Sequence, residues 1–101
     1  MNFDEFRQTA LYELFAKPMK VSAAIYFMDK NGGVPESNLE LELRDDVSTD
    51  DIRSALHCLE VLGEVDYDNP ELEMEKMYRL TPVAYEGIHG LISLLEEARD
   101  R

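Results

Sequence analysis

Ser48-Thr49-Asp50-Asp51-Ile52-Arg53-Ser54-Ala55-Leu56-His57-Cys58-Leu59-Glu60-Val61-Leu62-Gly63 opens and closes like one amphipathic helix. Ile52, Ala55, Leu56, Leu59 and Leu62 recur at steps of three and four residues, which puts them on one helical face and asks for a core beneath it. Ser48 and Thr49 bring short side-chain oxygens to the free N–H groups of the first turn, and Asp50 and Asp51 put negative charge at the positive end of the helix dipole. Gly63 supplies the left-handed residue on which helices commonly end.

Downstream the period changes from helical to alternating. Val65 and Tyr67 alternate with Glu64 and Asp66, Asp68-Asn69-Pro70 carries turn chemistry, and a second extended run from Met74 to Leu80 has Tyr78 and Leu80 in phase. These features predict a β-hairpin with a loose loop. Thr81-Pro82 reads as an N-cap followed by proline at the first helical position, where the missing N–H costs no hydrogen bond. A final helix is expected over residues 82–100, with Arg99 and Arg101 near its negative end.

Upstream, Phe3, Phe6, Ala10, Leu11, Leu14 and Phe15 predict a first helix over residues 3–15. Lys17-Pro18 should end it, because the residue before a proline is pushed out of the helical region. A second helix is expected over about residues 20–30, with Val21, Ala24, Ile25 and Met28 on one face and Asn31-Gly32-Gly33 as its stop. Residues 34–43 admit two readings. Leu39, Leu41 and Leu43 alternate with Glu40 and Glu42 as in a half-buried strand, yet Leu39 and Leu43 are also one helical turn apart after Pro35-Glu36. Arg44-Asp45-Asp46-Val47 is a turn in either case.

The chain has 101 residues, which predicts a single domain, and its 45% hydrophobic content suits a folded one. It carries 22 acidic against 10 basic side chains, a formal net charge of −12. A grip on about six to ten phosphates would consume most of those basic groups, so the balance argues against tight nucleic-acid binding by bulk electrostatics. The same sign disfavours anionic membranes. No apolar run approaches the roughly 18 residues of a membrane span, and Met1-Asn2-Phe3-Asp4-Glu5-Phe6 is acidic where a signal peptide needs a basic start. Cys58 stands alone and can form no internal disulfide, so the expected compartment is the cytoplasm. His57 and His89 fall in different helices and no Cys or His pair has metal-ligand spacing. Asp45-Asp46 and Asp50-Asp51 belong to a turn and a cap. Neither catalysis nor a metal nor a cofactor is expected.

Two stretches together point to a family. Thr49 to Val65 resembles the recognition helix and first wing strand of winged helix-turn-helix repressors, where a buried aliphatic is followed by Leu, a Leu-Glu pair, a glycine cap and the strand. Met77-Tyr78-Arg79-Leu80-Thr81-Pro82 resembles the junction that closes the wing in PadR-like and MarR-like repressors. The resemblance covers roughly residues 34–95. It implies a mainly α fold with a small β-hairpin, a winged helix-turn-helix with extra N- and C-terminal helices. It also favours the helical reading of residues 34–43, because a recognition helix needs a short helix before it to pack on.

The function implied by the resemblance is that of a small DNA-binding transcriptional regulator. Arg53 would reach guanine, Ser54 and His57 would stand beside it on the exposed side, Arg44 would hold the backbone from the turn, and Arg79 would serve the wing. The wing departs from the pattern, since Asp66, Asp68, Glu71, Glu73 and Glu75 outnumber Lys76 and Arg79, and Glu64 stands where an apolar residue is usual. That departure supports the alternative of an acidic winged-helix module that binds a basic protein partner or imitates DNA. In the last helix Ala84, Ile88, Leu91, Leu95 and Ala98 alternate at four and three residues, the seam of a short coiled coil. A homodimer is therefore expected with Ile88, Leu91 and Leu95 at its interface; the alternative is a helix packed into its own core beside the N-terminal helix.

Overall fold

The computed structural model describes residues 1–68 and 75–100. Its elements run α1 (Phe3–Arg7), α2 (Ala10–Leu14), α3 (Lys17–Met28), β1 (Val34–Pro35), α4 (Glu36–Leu43), α5 (Thr49–Val61), β2 (Val65–Asp68), β3 (Met77–Leu80) and α6 (Pro82–Arg99). Asn69-Pro70 of the expected turn, Met74 at the start of the second extended run, the wing acids Glu71 and Glu73, and Arg101 lie outside the described residues. The fold is mainly α with a small antiparallel sheet, and α4, α5 and the β2–β3 hairpin follow one another as in a winged helix.

Helix α3 is the central element. Val21, Ser22, Ala23, Ala24 and Ile25 are consecutive and all buried, so the helix is covered on every side rather than along one stripe. Helices α1, α4, α5 and α6 and strand β3 all pack on it. Phe6, Ile25, Leu39, Leu43 and Ile52 are fully buried in the resulting core. The helix begins at Lys17 rather than Lys20, because Pro18 falls within its first turn, where no intrahelical N–H is lost. It stops at Met28, and the Asp29 carboxylate then accepts the N–H groups of Asn31, Gly32 and Gly33.

The expected single helix over residues 3–15 is instead two. Thr9 takes an extended backbone, accepts the Tyr12 N–H on its hydroxyl and donates to the Phe6 carbonyl at 2.8 Å. A side chain that bonds its own neighbouring backbone competes with helix continuation, and here it wins. The bend brings Phe3, Phe6 and Tyr12 into one aromatic cluster with Phe15 and Phe27.

In residues 34–43 the helical reading holds and the strand reading of Leu39–Leu43 does not, because Leu39 and Leu43 are both buried one helical turn apart. Glu36–Leu43 is the helix α4, and Val34-Pro35 is a short strand that the hairpin reading lacked. The sheet order is β1-β3-β2, with Val34 opposite Tyr78 and Pro35 opposite Met77. Proline is tolerated there because β1 is an edge strand. Gly33 enters the strand at φ +82°, and a Cβ on it would lie 3.0 Å from the Met77 backbone, so both conformation and contact require glycine.

Helix α5 has the expected cap, with Ser48 accepting the Asp51 N–H, and the expected core face of Ile52, Ala55, Leu56 and Leu59. It closes as a Schellman turn, with Gly63 at φ +73°, its N–H bonded to the Glu60 carbonyl and the Glu64 N–H bonded to Leu59. Leu62, expected on the core face, is 66% exposed because the helix has already ended at Val61. Thr81 occupies the N-cap position of α6, but its hydroxyl serves the Gly63 carbonyl at 2.9 Å instead of the helix.

Candidate nucleic-acid interface

The exposed side of α5 follows from its buried side. With Ile52, Ala55, Leu56 and Leu59 turned inward, Asp50, Arg53, Ser54 and His57 face out and line one shallow open depression. Three of the five expected contact residues, Arg53, Ser54 and His57, are therefore brought together. Arg44 is exposed at the end of α4 and makes no ion pair among the described residues. Arg79 stands apart from the depression, on β3.

Several charges on and around this surface are paired within the chain. Arg53 is 65% exposed, yet its Nε lies 3.7 Å from Glu36 of α4. Lys17 meets Asp51 at 2.6 Å, and this hydrogen bond, with a second from Ser48, holds the Asp51 carboxyl below the usual carboxylate range. In the wing Arg79 sits opposite Asp66 in the strand register, bonds it at 2.8 Å, and also grips Asp68 with two nitrogens. Arg79 holds the Asp68 carboxyl below its ordinary value, so the pair stays ionised. The wing arginine expected to meet DNA is thus neutralised by its own strand partner. Lys76 lies 4.2 Å over the Tyr67 ring, and Glu75, just before β3, accepts the Ser37 N–H and hydroxyl, tying the loop side of the wing to the first turn of α4.

The turn between α4 and α5 is held from the N-terminus. Arg7 donates to both the backbone and the carboxylate of Glu42 at 2.9 Å, and its Nε lies 3.6 Å from Asp46. Tyr12 donates its hydroxyl to the same Asp46 at 2.9 Å. Burial, the hydrogen bond to Asp46 and the charge of Asp46 push the Tyr12 phenol well above the usual tyrosine range. None of these partners is signalled by local spacing, since more than thirty residues separate Arg7 from Glu42.

Helix α6 divides the expected seam. Ile88 is 5% exposed and packs with Ile92 into the chain's own core, because α6 lies against α3 on that side; Leu95 is half-buried against the same core. Leu91 faces out, as do Val83 and Leu94, the latter 65% exposed. Val83, Gly87 and Leu91 line an open cleft of about 350 Å³ with Met19 of α3 and Leu62 at the end of α5.

Among the described residues no group of three or more His, Cys, Asp or Glu is arranged to hold a metal ion, and no helix is long and apolar enough to cross a membrane. Neither a family model nor a curated protein sequence matches the chain. Among solved structures it is similar to the crystal structure of SSV1 F-93, with a TM-score of 0.59 and 20% identity over 86% of this chain and 94% of that one. The likeness is one of fold: a mainly helical chain with a small antiparallel sheet, arranged as a winged helix.

Proposed function

We propose that the chain is a small DNA-binding transcriptional regulator of winged-helix type, acting in the cytoplasm as a homodimer and carrying no catalytic function. The observation that supports this reading is the outer side of α5, where Arg53, Ser54 and His57 share one surface with Asp50, while Arg44 is exposed at the end of α4. Arginine and short polar side chains on the outer face of the second helix of such a pair suit base edges and phosphates. The paired state of Arg79 removes the wing from the contact, so the grip is that of a helix alone. Dimerisation offers the missing affinity by presenting two such helices to two half-sites.

A second reading is favoured by the ion pairs. Arg53 and Arg79 both answer carboxylates of their own chain, and the net charge is −12, which suits a module that binds a basic protein partner. Fluorescence anisotropy with random and genomic DNA fragments across a salt series separates the two. Saturable binding that weakens with salt supports the regulator; a folded dimer that shows no binding at low salt overturns it.

A further inference from the structure

Between the end of α3, the loop Asn31–Gly33 and the wing lies an open cleft of about 440 Å³, which also reaches Tyr85 of α6. Its volume falls in the range of small-molecule sites. Two tyrosines line it. The Tyr26 and Tyr85 rings are 5.1 Å apart and inclined by 38°, and His89 lies parallel to Tyr85 with its centroid 5.8 Å away. The Tyr26 hydroxyl and His89 Nδ1 share a hydrogen bond of 2.6 Å, which fixes the first ring.

Two carboxylates line the same cleft. Asp29 is held rigidly, because its Oδ1 accepts three backbone N–H groups at 3.2, 3.3 and 3.0 Å. Its second oxygen has no hydrogen-bond partner among the described residues. Asp68 is the other carboxylate, and the one cation of the lining among the described residues, Arg79, is divided between it and Asp66. Aromatic rings beside incompletely neutralised carboxylates are the chemistry that recognises positive charge carried on an apolar body.

We infer that this cleft is a binding site for a small organic cation, an alkylammonium or a charged nitrogen heterocycle. A cation gains from the two tyrosine rings that line the cleft and from Asp29 together. An anion would meet Asp29 and Asp68 and find Arg79 already occupied, and a neutral ligand would leave the carboxylates unanswered. The occupant touches α3, the wing and α6 at once, so it ties the wing to the body of the domain. The inference is independent of whether DNA is bound.

The test is a titration of the full chain with benzyltrimethylammonium chloride, followed by backbone amide NMR shifts, with sodium phenylacetate at equal ionic strength as the anionic comparison. Saturable shifts are expected around Tyr26, Asn31 to Gly33, Asp68 and Tyr85, with half-saturation at about 0.1–5 mM. Asp29→Asn keeps an oxygen for the three N–H groups and removes the charge, and should weaken binding by about fivefold or more. Tyr85→Leu alters a half-exposed ring outside the core, so it provides a second variant whose folding is not at issue, with a loss of similar size. The inference is overturned by the absence of saturable shifts up to roughly 50 mM, a range far above any useful affinity. Shifts confined to another surface, equal binding of phenylacetate, or unchanged binding to both variants also overturn it.

Discussion

Arg53 and Glu36 face each other across the α4–α5 pair, Nε to Oε1 at 3.7 Å, so the cation best placed on the outer side of α5 is tethered by the helix that precedes it. With Arg53 largely exposed and the separation long, the pair is weak by itself, worth well under about 1 kcal/mol. Its consequence is for the proposed DNA contact, in which a phosphate or a guanine would have to compete with Glu36 for the guanidinium. Glu36→Gln should therefore raise DNA affinity, by about twofold to fivefold at low salt, with little change in thermal stability. Arg53→Ala should lower affinity by about tenfold and alter sequence preference, as loss of a base-reading arginine does. Anisotropy with a selected DNA site checks both; equal affinity of the two variants and the parent would remove Arg53 from the interface.

Tyr12 makes a prediction about alkaline pH. Its phenol is almost fully buried, donates to Asp46 and has its pKa raised above the ordinary value of 10.0, by burial first. A group whose folded pKa is raised contributes stability that is fully present below the unfolded pKa and is lost as pH climbs toward the folded one. Stability should thus fall as pH rises above about 10, because the unfolded chain releases a proton that the folded chain retains. Tyr12→Phe should flatten that part of the urea-unfolding profile and cost about 1–2 kcal/mol at neutral pH, where Asp46 loses its donor. A profile for Tyr12→Phe as steep as that of the parent would assign the alkaline transition to other groups.

Gly33 tests the join between sheet and helix-turn-helix. Its φ of +82° is costly for any residue with a Cβ, and that Cβ would press on the Met77 backbone at 3.0 Å. Gly33→Ala should destabilise the chain by about 2–4 kcal/mol, combining left-handed strain with displacement of β3 from β1. Gly32→Ala, with nothing within 4 Å of its Cβ, serves as the comparison and should change stability far less. Urea midpoints for the two variants decide the matter; equal midpoints would show that β1 does not depend on this contact.

What could be read from the residues alone follows the range of the forces involved. Helix α5 was legible almost to the residue, because cap, period and stop are all local and all agree from Ser48 to Gly63. The break at Thr9 was not, since threonine tolerates either a helix or a turn and only the packing of Phe3, Phe6 and Tyr12 decides between them. Strand β1 escaped because two residues carry no period. In the candidate site, residue types and faces were visible, whereas the electrostatic state was not. That Arg79 belongs to Asp66 and Asp68 depends on strand register, and that Arg53 belongs to Glu36 depends on how α4 crosses α5. The C-terminal seam divides for a related reason: two apolar faces lie on one helix, and period alone does not say which of them the domain uses.

Helix α6 now makes that choice explicit. Ile88 and Ile92 are spent on the chain's own core, which leaves Val83, Leu91 and Leu94 outward, with Leu62 across the cleft. An 18-residue helix is about 27 Å long, enough to supply much of a small interface if a second copy lies along it. Gly87 and Gly90 have open space around their Cβ positions on this helix, so a partner backbone is free to approach closely. Leu91→Asp with Leu94→Asp should therefore convert a dimer to a monomer in sedimentation velocity while leaving helical circular dichroism intact, because neither side chain supports the core. The parent's melting temperature should rise with protein concentration and that of the double variant should not. Ile88→Asp should instead unfold the chain, burying an unpaired charge among α3 and α6. If the double variant stays dimeric, self-association runs through another face and the outward leucines of α6 are left to a different partner.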